Sequence, residues 1–482
     1  MLEYNPVKDI LIIGRIEDYF MYQIDFKNPV HVYFMGIGGI SMSGLAQILI
    51  EENFKISGSD NKESDLTRSL EKRGVTVFYG QKAENIAAAG DIDVVVYTAA
   101  VHPDNPEFMA AQEAGIPMLT RAELLGQIMK QYELPVAVAG THGKTTTTSM
   151  LSKILLEADT DPTLSIGGIF KDINGNIRVG NSEYFVTEAC EYTNSFLSFF
   201  PKVSIISNID ADHLDFFKDL DDIRHSFRLF AEKMDENGTL IINNDIEDLD
   251  KLTAGLKCKV LTFGINDETA DYYAKDISYT ATLFPTFTLY HKGEKLFTAS
   301  LNVRGEHNVI DAVAASTAAM VCGISPESVK ESLEAYKGVN RRFEKKGEIG
   351  GVTIVDDFAH HPDEIKVTLE VAKKAGYSKI WCVFQPYTYT RTKILMQEFA
   401  DVLSMADEVV LAKIYPARET DTLGISSADL AKEIEKLGVK TTCLDSFDEI
   451  ESFILQNCVA GELVLTMGCG DIGKVGDDLL GL

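Results

Sequence analysis

Residues 136–150 read Val-Ala-Val-Ala-Gly-Thr-His-Gly-Lys-Thr-Thr-Thr-Thr-Ser-Met, and this stretch decides the fold. Its four apolar residues, 136–139, predict a buried strand, and a helix is expected to begin after the glycine turn. Such a turn aims backbone N–H groups and the positive end of a helix dipole at one point, which suits a phosphate chain. Lys144 adds a positive charge, and the Thr145 hydroxyl is placed to hold Mg²⁺. The stretch therefore predicts a nucleoside triphosphate site.

The spacing of this loop departs from the standard Walker A motif, because the leading glycine of that motif would fall at Val138. A simple turn between a strand and a helix is the alternative. The run Thr145–Thr148 argues against it, since β-branched residues open a helix where propensity would choose otherwise. The residues expected to hold the nucleotide phosphates are Gly140, Thr141, His142, Gly143, Lys144, Thr145 and Thr146.

Length, charge and cysteine usage limit the class of protein. A chain of 482 residues is too long for one core, and its length suggests roughly three domains. The net charge of −28 argues against a nucleic-acid or anionic-membrane partner, since either would need a basic face. We find no apolar run long enough for membrane insertion and no signal peptide. The 7 scattered cysteines lack a C-x-x-C pair and indicate a reducing, cytoplasmic compartment.

Three αβ blocks follow one another along the chain, so the predicted fold class is α/β with three domains. We expect an N-terminal extension at 1–29, a Rossmann-like domain at 30–133, a central phosphate-loop domain at 134–337 and a Rossmann-like C-terminal domain at 338–482. The predicted strands are mostly continuous apolar runs, as in buried parallel sheets. Segment 272–301 instead alternates Thr, Phe and Tyr with other residues, which predicts antiparallel strands and a mixed central sheet.

The first block opens with a strand, His31–Met35, and a glycine turn that partly fits the dinucleotide fingerprint G-x-G-x-x-G. Serine occupies the third glycine position, and an aspartate follows the second strand at about the expected distance. A diphosphate at a helix N-terminus is common to NAD, FAD and UDP-sugar sites. A tight turn with close packing is the competing explanation. The candidate binding residues are Gly36, Gly38, Gly39, Ser41 and Asp60.

Two carboxylate-bearing segments follow strands of the central block. Glu188 ends a predicted strand, at the edge where ligands bind in open α/β sheets, and is a candidate Mg²⁺ ligand; Glu191 is a second candidate. The segment 210–213, Asp-Ala-Asp-His, follows the next strand. His213 and its neighbouring carboxylates offer ligands to a metal that bridges phosphate oxygens. A solvated loop is the alternative interpretation of this segment.

Further candidates lie nearer the C-terminus. His307 and Asn308 open a helix and offer ring and amide nitrogens suited to a purine edge. Arg342 lies at a domain junction, where a guanidinium could reach a γ-phosphate from outside the central domain. The segments 356–362 and 385–391 both follow predicted strands of the third block and are expected to face the same cleft. The alternative is that the polar residues of these two segments only cap helices or lie on the surface.

Together these segments resemble the Mur ligases, the ATP-dependent amide-forming enzymes of peptidoglycan synthesis, over about residues 31–475. The resemblance implies ATP and Mg²⁺ as cofactors. It also implies that a small amino acid, L-alanine, is joined to the lactyl carboxylate of UDP-N-acetylmuramate through an acyl phosphate. In this comparison the glycine turn, 36–44, is similar to the UDP-sugar loop, and 140–148 is similar to the ATP loop.

The resemblance assigns metal and nucleotide contacts to single residues. Thr145 and Glu188 would hold one Mg²⁺, and Glu188 with His213 a second. His307 and Asn308 would contact adenine. Arg342 and Asp356 would reach the nucleotide from the C-terminal side.

The resemblance places the incoming amino acid between His360 and Arg391. A base must accept the ammonium proton, and we choose His360 because imidazole titrates near neutral pH. The residues given a catalytic role are Lys144, Glu188, His213, Arg342 and His360. The family usually has an acidic residue at the position of Cys190, a tyrosine at Phe358 and a histidine at the position of Tyr387. These departures leave L-alanine, glycine and serine open as substrates.

Other functions stay open at this point. Another ligase of the same type could attach a whole peptide to UDP-N-acetylmuramate, and a folylpolyglutamate-type ligase would share the central loop. A nicotinamide-dependent oxidoreductase could use the first glycine turn but would leave the phosphate loop unexplained. A regulatory protein could hydrolyse ATP without forming a bond. The sequence is compatible with a monomer or a dimer, and we expect the third domain to close over the central one.

Overall fold

A computed structural model describes residues 21–98, 100–214, 216–417, 419 and 423–482 of the chain. Of the predicted N-terminal extension, residues 1–20 lie outside this range. Residues 21–29 pack onto the first domain: Ile24 is buried and its N–H donates to Gln127 Oε1 at 2.8 Å. The Phe26 ring meets the edge of Phe54 with centroids 5.6 Å apart. This segment is therefore part of the first domain's core rather than separate from it.

The first domain has a parallel five-stranded sheet. Its strands are β1 (His31–Met35), β2 (Lys55–Asp60), β3 (Thr76–Tyr79), β4 (Val94–Tyr97) and β5 (Met118–Thr120). Its helices are α1 (Ile40–Glu51), α2 (Asp65–Lys72), α3 (Glu84–Ala88), α4 (Pro106–Glu113) and α5 (Arg121–Met129). The strand order is β3-β2-β1-β4-β5. The order reverses at β1, so the glycine turn after β1 lies where Rossmann-like sheets bind ligands.

The central domain has a mixed ten-stranded sheet. Its strands are β6 (Leu134–Ala139), β7 (Thr163–Phe170), β8 (Gly175–Arg178), β9 (Tyr184–Ala189), β10 (Val203–Ile206), β11 (Thr239–Asn243), β12 (Lys259–Ile265), β13 (Tyr272–Tyr279), β14 (Pro285–His291) and β15 (Glu294–Ser300). The helices are α6 (Lys144–Glu157), α7 (Leu220–Glu232), α8 (Leu249–Thr253), α9 (His307–Val321) and α10 (Pro326–Ala335), with 3₁₀ segments at Lys171–Ile173 and Tyr192–Ser198. The strand order is β15-β14-β13-β12-β11-β10-β6-β9-β7-β8.

The pairing within this sheet confirms the mixed character expected from the sequence. The strands from β13 to β7 run parallel to their neighbours, and the β13–β14–β15 meander is antiparallel, as predicted for segment 272–301. The antiparallel β7–β8 hairpin at the other edge was not expected. Strand β6, which leads into the phosphate loop, lies between β10 and β9 and is buried on both faces. The loop is therefore held by the middle of the sheet.

The C-terminal domain has a six-stranded sheet. Its strands are β16 (Glu344–Ile349), β17 (Val352–Asp357), β18 (Ile380–Phe384), β19 (Glu408–Leu411), β20 (Lys440–Cys443) and β21 (Leu463–Met467). Its helices are α11 (Pro362–Lys374), α12 (Tyr389–Ile394), α13 (Met396–Leu403), α14 (Ser427–Lys436), α15 (Phe447–Asn457) and α16 (Gly473–Leu480). The order is β16-β17-β21-β18-β19-β20, parallel except for the β16 edge.

The predicted three-domain α/β fold is confirmed, while the boundaries drawn between the domains stay predictions. The first and central domains share one hydrophobic core. Helix α5 approaches the segment 192–198 so closely that a Cβ on Gly126 would lie 1.9 Å from the Ser198 carbonyl oxygen. None of the helices within the described residues has the length and apolar character that a membrane span needs.

Candidate active site

The phosphate loop joins β6 to α6. Gly140 and Gly143 have φ angles of +141° and +79°, conformations that favour glycine. A Cβ on Gly143 would also lie 2.5 Å from Asp311 Oδ1. The helix begins at Lys144, as predicted, and no side chain of the described residues caps it. Its first N–H groups are therefore free to bind an anion at the loop.

Asn208, at the end of the neighbouring strand β10, fixes the backbone of this loop. The His142 N–H donates to Asn208 Oδ1 at 2.7 Å, and Asn208 Nδ2 donates back to the His142 carbonyl at 3.0 Å. The Thr141 N–H donates to the Asn208 carbonyl at 3.2 Å, and the Asp210 N–H donates to Thr141 Oγ1 at 2.9 Å. The loop is thus held in shape before any ligand binds.

Lys144 forms a buried ion pair beneath the loop. Its Nζ lies 3.1 Å from Glu191 Oε2 and donates to the carbonyls of Gly140 and Thr141 at 2.5 and 3.0 Å. Burial opposes the charge on Lys144, yet Glu191 together with other nearby acidic groups, Glu188 among them, raises the pKa of the lysine. The ammonium is therefore charged and held against the loop carbonyls, within reach of a phosphate.

Thr145 and Glu188 form the pair predicted to hold Mg²⁺. The Thr145 hydroxyl donates to Glu188 Oε2 at 3.0 Å, and the Gly167 N–H donates to Glu188 Oε1 at 2.5 Å. A Cβ on Gly167 would lie 2.6 Å from both Glu188 oxygens, so glycine is required there. Burial raises the pKa of Glu188. Hydroxyl and carboxylate oxygens are the donors that Mg²⁺ prefers, so this pair fits the ion.

His213 lies on the other side of the lysine pair. Its Nε2 is 3.9 Å from Glu191 Oε1 and 3.8 Å from Asp212 Oδ2, and its ring packs on Tyr192 with centroids 4.6 Å apart. Burial lowers the pKa of His213, so its imidazole is neutral near pH 7. The predicted partner Glu188 is not among its contacts in the described part of the chain. Glu191 and Asp212 are the carboxylates that the structure brings to His213.

Arg391 connects the C-terminal domain to the central domain. Its Nη2 lies 3.1 Å from Asp212 Oδ1, and both side chains are 12% exposed. Burial would raise the pKa of Asp212, but the Arg391 guanidinium and the neighbouring polar groups together hold it below its ordinary value. The two predicted segments, 210–213 and 385–391, therefore meet across the domain boundary.

His360 lies in an aromatic pocket of the C-terminal domain. Its ring meets Phe358 and Tyr387 edge to face, with centroids 5.5 and 5.7 Å away. Its Nδ1 is 3.1 Å from the Phe358 carbonyl oxygen and 3.3 Å from Glu364 Oε2. Burial lowers the pKa of His360 to about 4. The imidazole is therefore neutral at pH 7 and faces a carboxylate that would stabilise its protonated form.

Glu364 joins this pocket to the phosphate loop, and sequence reasoning missed it. Its Oε1 lies 3.5 Å from His142 Nδ1 and 4.0 Å from Arg342 Nη1. Burial would raise the pKa of Glu364, but its interactions with His360, His142 and Arg342 hold it well below its ordinary value. Burial likewise opposes charge on His142, yet Glu364 raises its pKa. Glu364 is thus an anion shared between the loop and the C-terminal domain.

Arg342 lies at the domain junction, with its Nη1 4.0 Å from the Glu364 oxygen that also lies near His142 of the loop. Its guanidinium lies over the Phe358 ring, 5.3 Å from the centroid. Burial raises the pKa of Glu188 and of Asp311, and the charge of Arg342 acts against this at both carboxylates. The cation is therefore close to the groups that surround the phosphate loop.

A second donor set lies beside the loop. Within the described residues, ligand atoms of His142, His361 and Asp363 lie within 4.8 Å of one another. His361 Nδ1 accepts the Asp363 N–H at 3.4 Å and so caps helix α11. Imidazole nitrogens suit transition metals better than Mg²⁺, so the Thr145–Glu188 pair is the better magnesium candidate.

Asp356 is placed differently from the expectation. It is 1% exposed, and its oxygens accept from Arg341 Nε at 2.8 Å and Thr466 Oγ1 at 2.7 Å. Arg341 in turn donates to the Gly470 carbonyl at 3.0 Å. Both oxygens of Asp356 are thus engaged within the domain, one of them by Arg341, and a contact of Asp356 with the nucleotide stays a prediction.

His307 and Asn308 open α9 near the loop, as predicted. His307 is exposed, and Asn308 is buried. Asn308 Nδ2 donates to the Arg304 carbonyl at 2.7 Å and lies 2.9 Å from His307 Nε2. The exposed imidazole is therefore oriented by Asn308 and free to contact a base, while the Asn308 amide is partly engaged. Thr146, in the first turn of α6, is partly exposed.

The glycine turn of the first domain is held by the end of β2. The N–H groups of Gly36 and Ile37 donate to the Ser59 carbonyl at 2.9 Å, and the Gly38 N–H donates to Asp60 Oδ2 at 2.9 Å. Gly39 begins α1 without a side-chain cap among the described residues. The free N–H groups of α1 suit a diphosphate, and Asp60 shapes the turn.

The β7–β8 hairpin joins this turn to the central domain. Asn176 Nδ2 donates to the Ile40 carbonyl at 3.4 Å, and a Cβ on Gly44 would lie 2.1 Å from Ile177. The same hairpin carries Gly167, whose N–H binds Glu188 beside the phosphate loop, so the hairpin contacts both sites.

Three residues of the site were missed: Asn208, Asp311 and Glu364. Each had a signal in the sequence. Asn208 directly follows a buried strand, and Glu364 lies four residues after His360 at the start of a helix. Asp311 is the carboxylate inside an apolar helix, 307–321, and its Oδ1 accepts the Thr147 hydroxyl at 3.0 Å. Isolated polar residues in apolar surroundings are frequent at functional sites.

Comparison with known proteins gives matches in all three domains. Family models described as "Mur ligase family, catalytic domain", "Mur ligase middle domain" and "Mur ligase, glutamate ligase domain" match residues 31–133, 138–319 and 341–470. Together they cover most of the chain.

Full-length relatives agree with these models. A UDP-N-acetylmuramate–L-alanine ligase of Lachnospira eligens is 58% identical over 95% of this chain and 100% of its own length. One from Agathobacter rectalis is 55% identical with the same coverage. Among solved structures, the UDP-N-acetylmuramate-alanine ligase MurC of Thermotoga maritima matches with a TM-score of 0.78 at 29% identity, over 94% of this chain and 98% of that one. A murein peptide ligase of Psychrobacter arcticus matches with a TM-score of 0.71 at 26% identity, over the same shares of the two chains.

Proposed function

The chain belongs to the Mur ligase family, and we propose that it joins L-alanine to the lactyl carboxylate of UDP-N-acetylmuramate with cleavage of ATP, a step of peptidoglycan synthesis. Relatives 58% and 55% identical over their whole length carry the name of this reaction. The observation that supports the proposal best is the 3.1 Å contact between Arg391 and Asp212, because it brings the predicted amino-acid loop over the phosphate loop.

Mg²⁺ is the metal we propose for this site. Thr145 and Glu188 would hold it, since their oxygens lie 3.0 Å apart beside the loop. A second ion would be held by His213 with Glu191, whose Oε1 lies 3.9 Å from the His213 Nε2, in place of the predicted Glu188. When bound, the ion supplies charge that offsets the negative phosphate oxygens during transfer.

The first step is an attack by a lactyl carboxylate oxygen on the γ-phosphorus of ATP. The bond from that phosphorus to the β,γ-bridging oxygen breaks, ADP leaves with the electron pair, and an acyl phosphate remains. Lys144 and Arg342 offset the charge on the phosphate oxygens, and the N–H groups at the start of α6 bind them. The Lys144–Glu191 ion pair holds the ammonium in place for this step.

The second step is an attack by the neutral amino group on the acyl carbon. The C–N bond forms, the bond to phosphate breaks, and one N–H proton passes to a base. His360 is the proposed base, since its imidazole is neutral and Glu364, 3.3 Å away, would share the proton. Its pKa of about 4 makes it a weak base in the free enzyme, so it depends on this carboxylate.

The acyl phosphate must be protected from water. His360 and Glu364 are 20% and 18% exposed, so this part of the cleft is already partly closed. We propose that substrate binding completes the closure of the C-terminal domain.

We place the reaction in the cytoplasm, where ATP is available. All 7 cysteines are free, which accords with a reducing compartment.

Phosphate release from Mg-ATP tests the proposal. The purified chain is given UDP-N-acetylmuramate with L-alanine, glycine, L-serine or a tripeptide, and with no acceptor. We expect release that requires both the sugar nucleotide and a single amino acid, with L-alanine preferred. A requirement for the tripeptide would assign the chain to the peptide-attaching ligases. Release that ignores both acceptors would overturn the ligase proposal.

A further inference from the structure

Arg121 lies at the sheet edge that carries the first glycine turn. It directly follows β5 and is the first residue of α5. The parallel strands β1 and β5 end at the same edge, so Arg121 and the turn after β1 face one crevice. The Arg121 Nη1 donates to Ser41 Oγ at 3.2 Å. The guanidinium therefore extends to the start of α1, where a diphosphate is expected.

Arg121 has no carboxylate partner among the residues that the structure describes. Every other described arginine except Arg304 lies within 4.0 Å of a carboxylate oxygen. Arg304 donates to the Thr282 carbonyl and lies over the rings of Phe284 and Phe343. The chain has 73 acidic residues. Arg121 is therefore unusual, because a single hydroxyl is its acceptor among the described residues.

The surroundings of Arg121 disfavour its charge. It occupies the first turn of a helix, where the dipole favours anions and opposes cations. The side chain is half-buried, and burial lowers the pKa of Arg121. A half-buried, unpaired guanidinium at this position costs stability, which a bound anion would offset.

Arg121 also lies on the way from the glycine turn to the phosphate loop. Helix α5, which begins at Arg121, packs through Gly126 against segment 192–198. That segment directly follows Glu191, the partner of Lys144. The helix that begins at Arg121 therefore connects the proposed diphosphate site with the site of phosphoryl transfer.

We infer that Arg121 binds an anionic group of the sugar nucleotide, its diphosphate or its lactyl carboxylate, where the substrate crosses from the first domain to the central one. This inference rests on the proposed function. The planar fork of arginine suits both anions, because each presents two oxygens to parallel N–H donors. Arg121 would thus align the carboxylate with ATP without contributing to ATP binding.

The test compares Arg121→Ala and Arg121→Lys with Arg73→Ala, an exposed arginine of the same domain that pairs with Glu51. We expect KM for UDP-N-acetylmuramate to rise roughly 10- to 100-fold in R121A. R121K should reverse only part of this rise in KM, since lysine lacks the planar fork of the guanidinium. KM for ATP should change less than about twofold in both, and R73A should resemble the wild type. Unchanged KM for the sugar nucleotide in both Arg121 variants would overturn the inference.

Binding of UDP alone, measured by calorimetry, distinguishes the two anions. Weaker UDP binding in R121A assigns the guanidinium to the diphosphate. Unchanged UDP binding with a raised KM for the full substrate assigns it to the carboxylate. If the wild type makes no amide product, the proposed function fails, but calorimetric binding of UDP-N-acetylmuramate, which carries both anions, by wild type and R121A still decides whether Arg121 holds an anion. In that case, equal affinity of the two proteins for UDP-N-acetylmuramate would overturn the inference.

Discussion

At the scale of single residues, the Lys144–Glu191 ion pair is the centre of the site. We expect Lys144→Ala to lower kcat at least about 10²- to 10³-fold, because it removes a charge that acts on the phosphate in the transition state. It also leaves Glu191, only 2% exposed, without its partner, which costs about 3–5 kcal/mol of stability.

The double variant K144A/E191Q separates these two effects. It should regain most of the free energy of unfolding, measured in urea, and stay inactive in phosphate release. An active double variant would contradict the role given to the lysine.

Asp311 predicts an unusual dependence of stability on pH. Burial raises its pKa to about 7, whereas in the unfolded chain it is about 4. The folded state therefore binds more protons between these values, and the free energy of unfolding falls as pH rises through this window. Asp311→Asn keeps an oxygen for Thr147 and removes the buried charge. At pH 8 it should be more stable than the wild type by on the order of 4 kcal/mol, and near pH 4 the gain should vanish.

Urea unfolding at pH 5 and pH 8 measures this effect. If the stability of both proteins changes in parallel with pH, Asp311 does not titrate in this window.

At the scale of elements, the strand–loop–helix unit from β6 to α6 depends on Gly143. An alanine there would require a left-handed φ and would place its Cβ 2.5 Å from Asp311 Oδ1. Gly74 is a matched control, since its φ is +90° but a Cβ would meet nothing within 4 Å. Both substitutions carry a backbone cost of about 1–3 kcal/mol. Only Gly143→Ala should also abolish ATP binding.

Calorimetric titration with ATP checks this pair of variants. Equal losses of ATP affinity in G143A and G74A would show that the loop does not need the space at Gly143.

The elements that sequence reasoning predicted are those with a strong local pattern. The apolar run before Gly140 and the glycines around His142 define β6 and the start of α6 without tertiary information. The β7–β8 hairpin was missed because Gly167 and Gly168 interrupt its apolar alternation. Gly167 is explained only by the tertiary contact, since it leaves room for the Glu188 carboxylate.

At the scale of the whole molecule, the Arg391–Asp212 ion pair holds the C-terminal domain against the central one. Asp212→Asn should shift the balance toward an open arrangement by about 5- to 100-fold, as expected for a coupling of 1–3 kcal/mol. Small-angle scattering of the free enzyme should then give a larger radius of gyration than the wild type. Asp221→Asn, an exposed carboxylate on α7, is the control. Identical scattering curves for D212N and wild type would contradict this role of the ion pair.

Contacts between domains are what the sequence alone could not predict. Segments 210–213 and 385–391 were each recognised, but their meeting depends on how two separately folded sheets pack. The contacts of Glu364 could not be predicted for the same reason, because its partners His142 and Arg342 lie on other segments. Asp356, which was expected to face the nucleotide, is 1% exposed, and its hydrogen bonds to Arg341 and Thr466 could not be predicted from the sequence either.

An isotope experiment tests the central claim most directly. UDP-N-acetylmuramate is labelled with ¹⁸O in its lactyl carboxylate and turned over with Mg-ATP and L-alanine. Because the carboxylate oxygen attacks phosphorus and stays with it when the amide forms, one ¹⁸O should appear in each inorganic phosphate, as mass spectrometry will show. Unlabelled phosphate formed together with the amide product would contradict the acyl-phosphate mechanism, and phosphate released without any amide product would contradict the ligase itself.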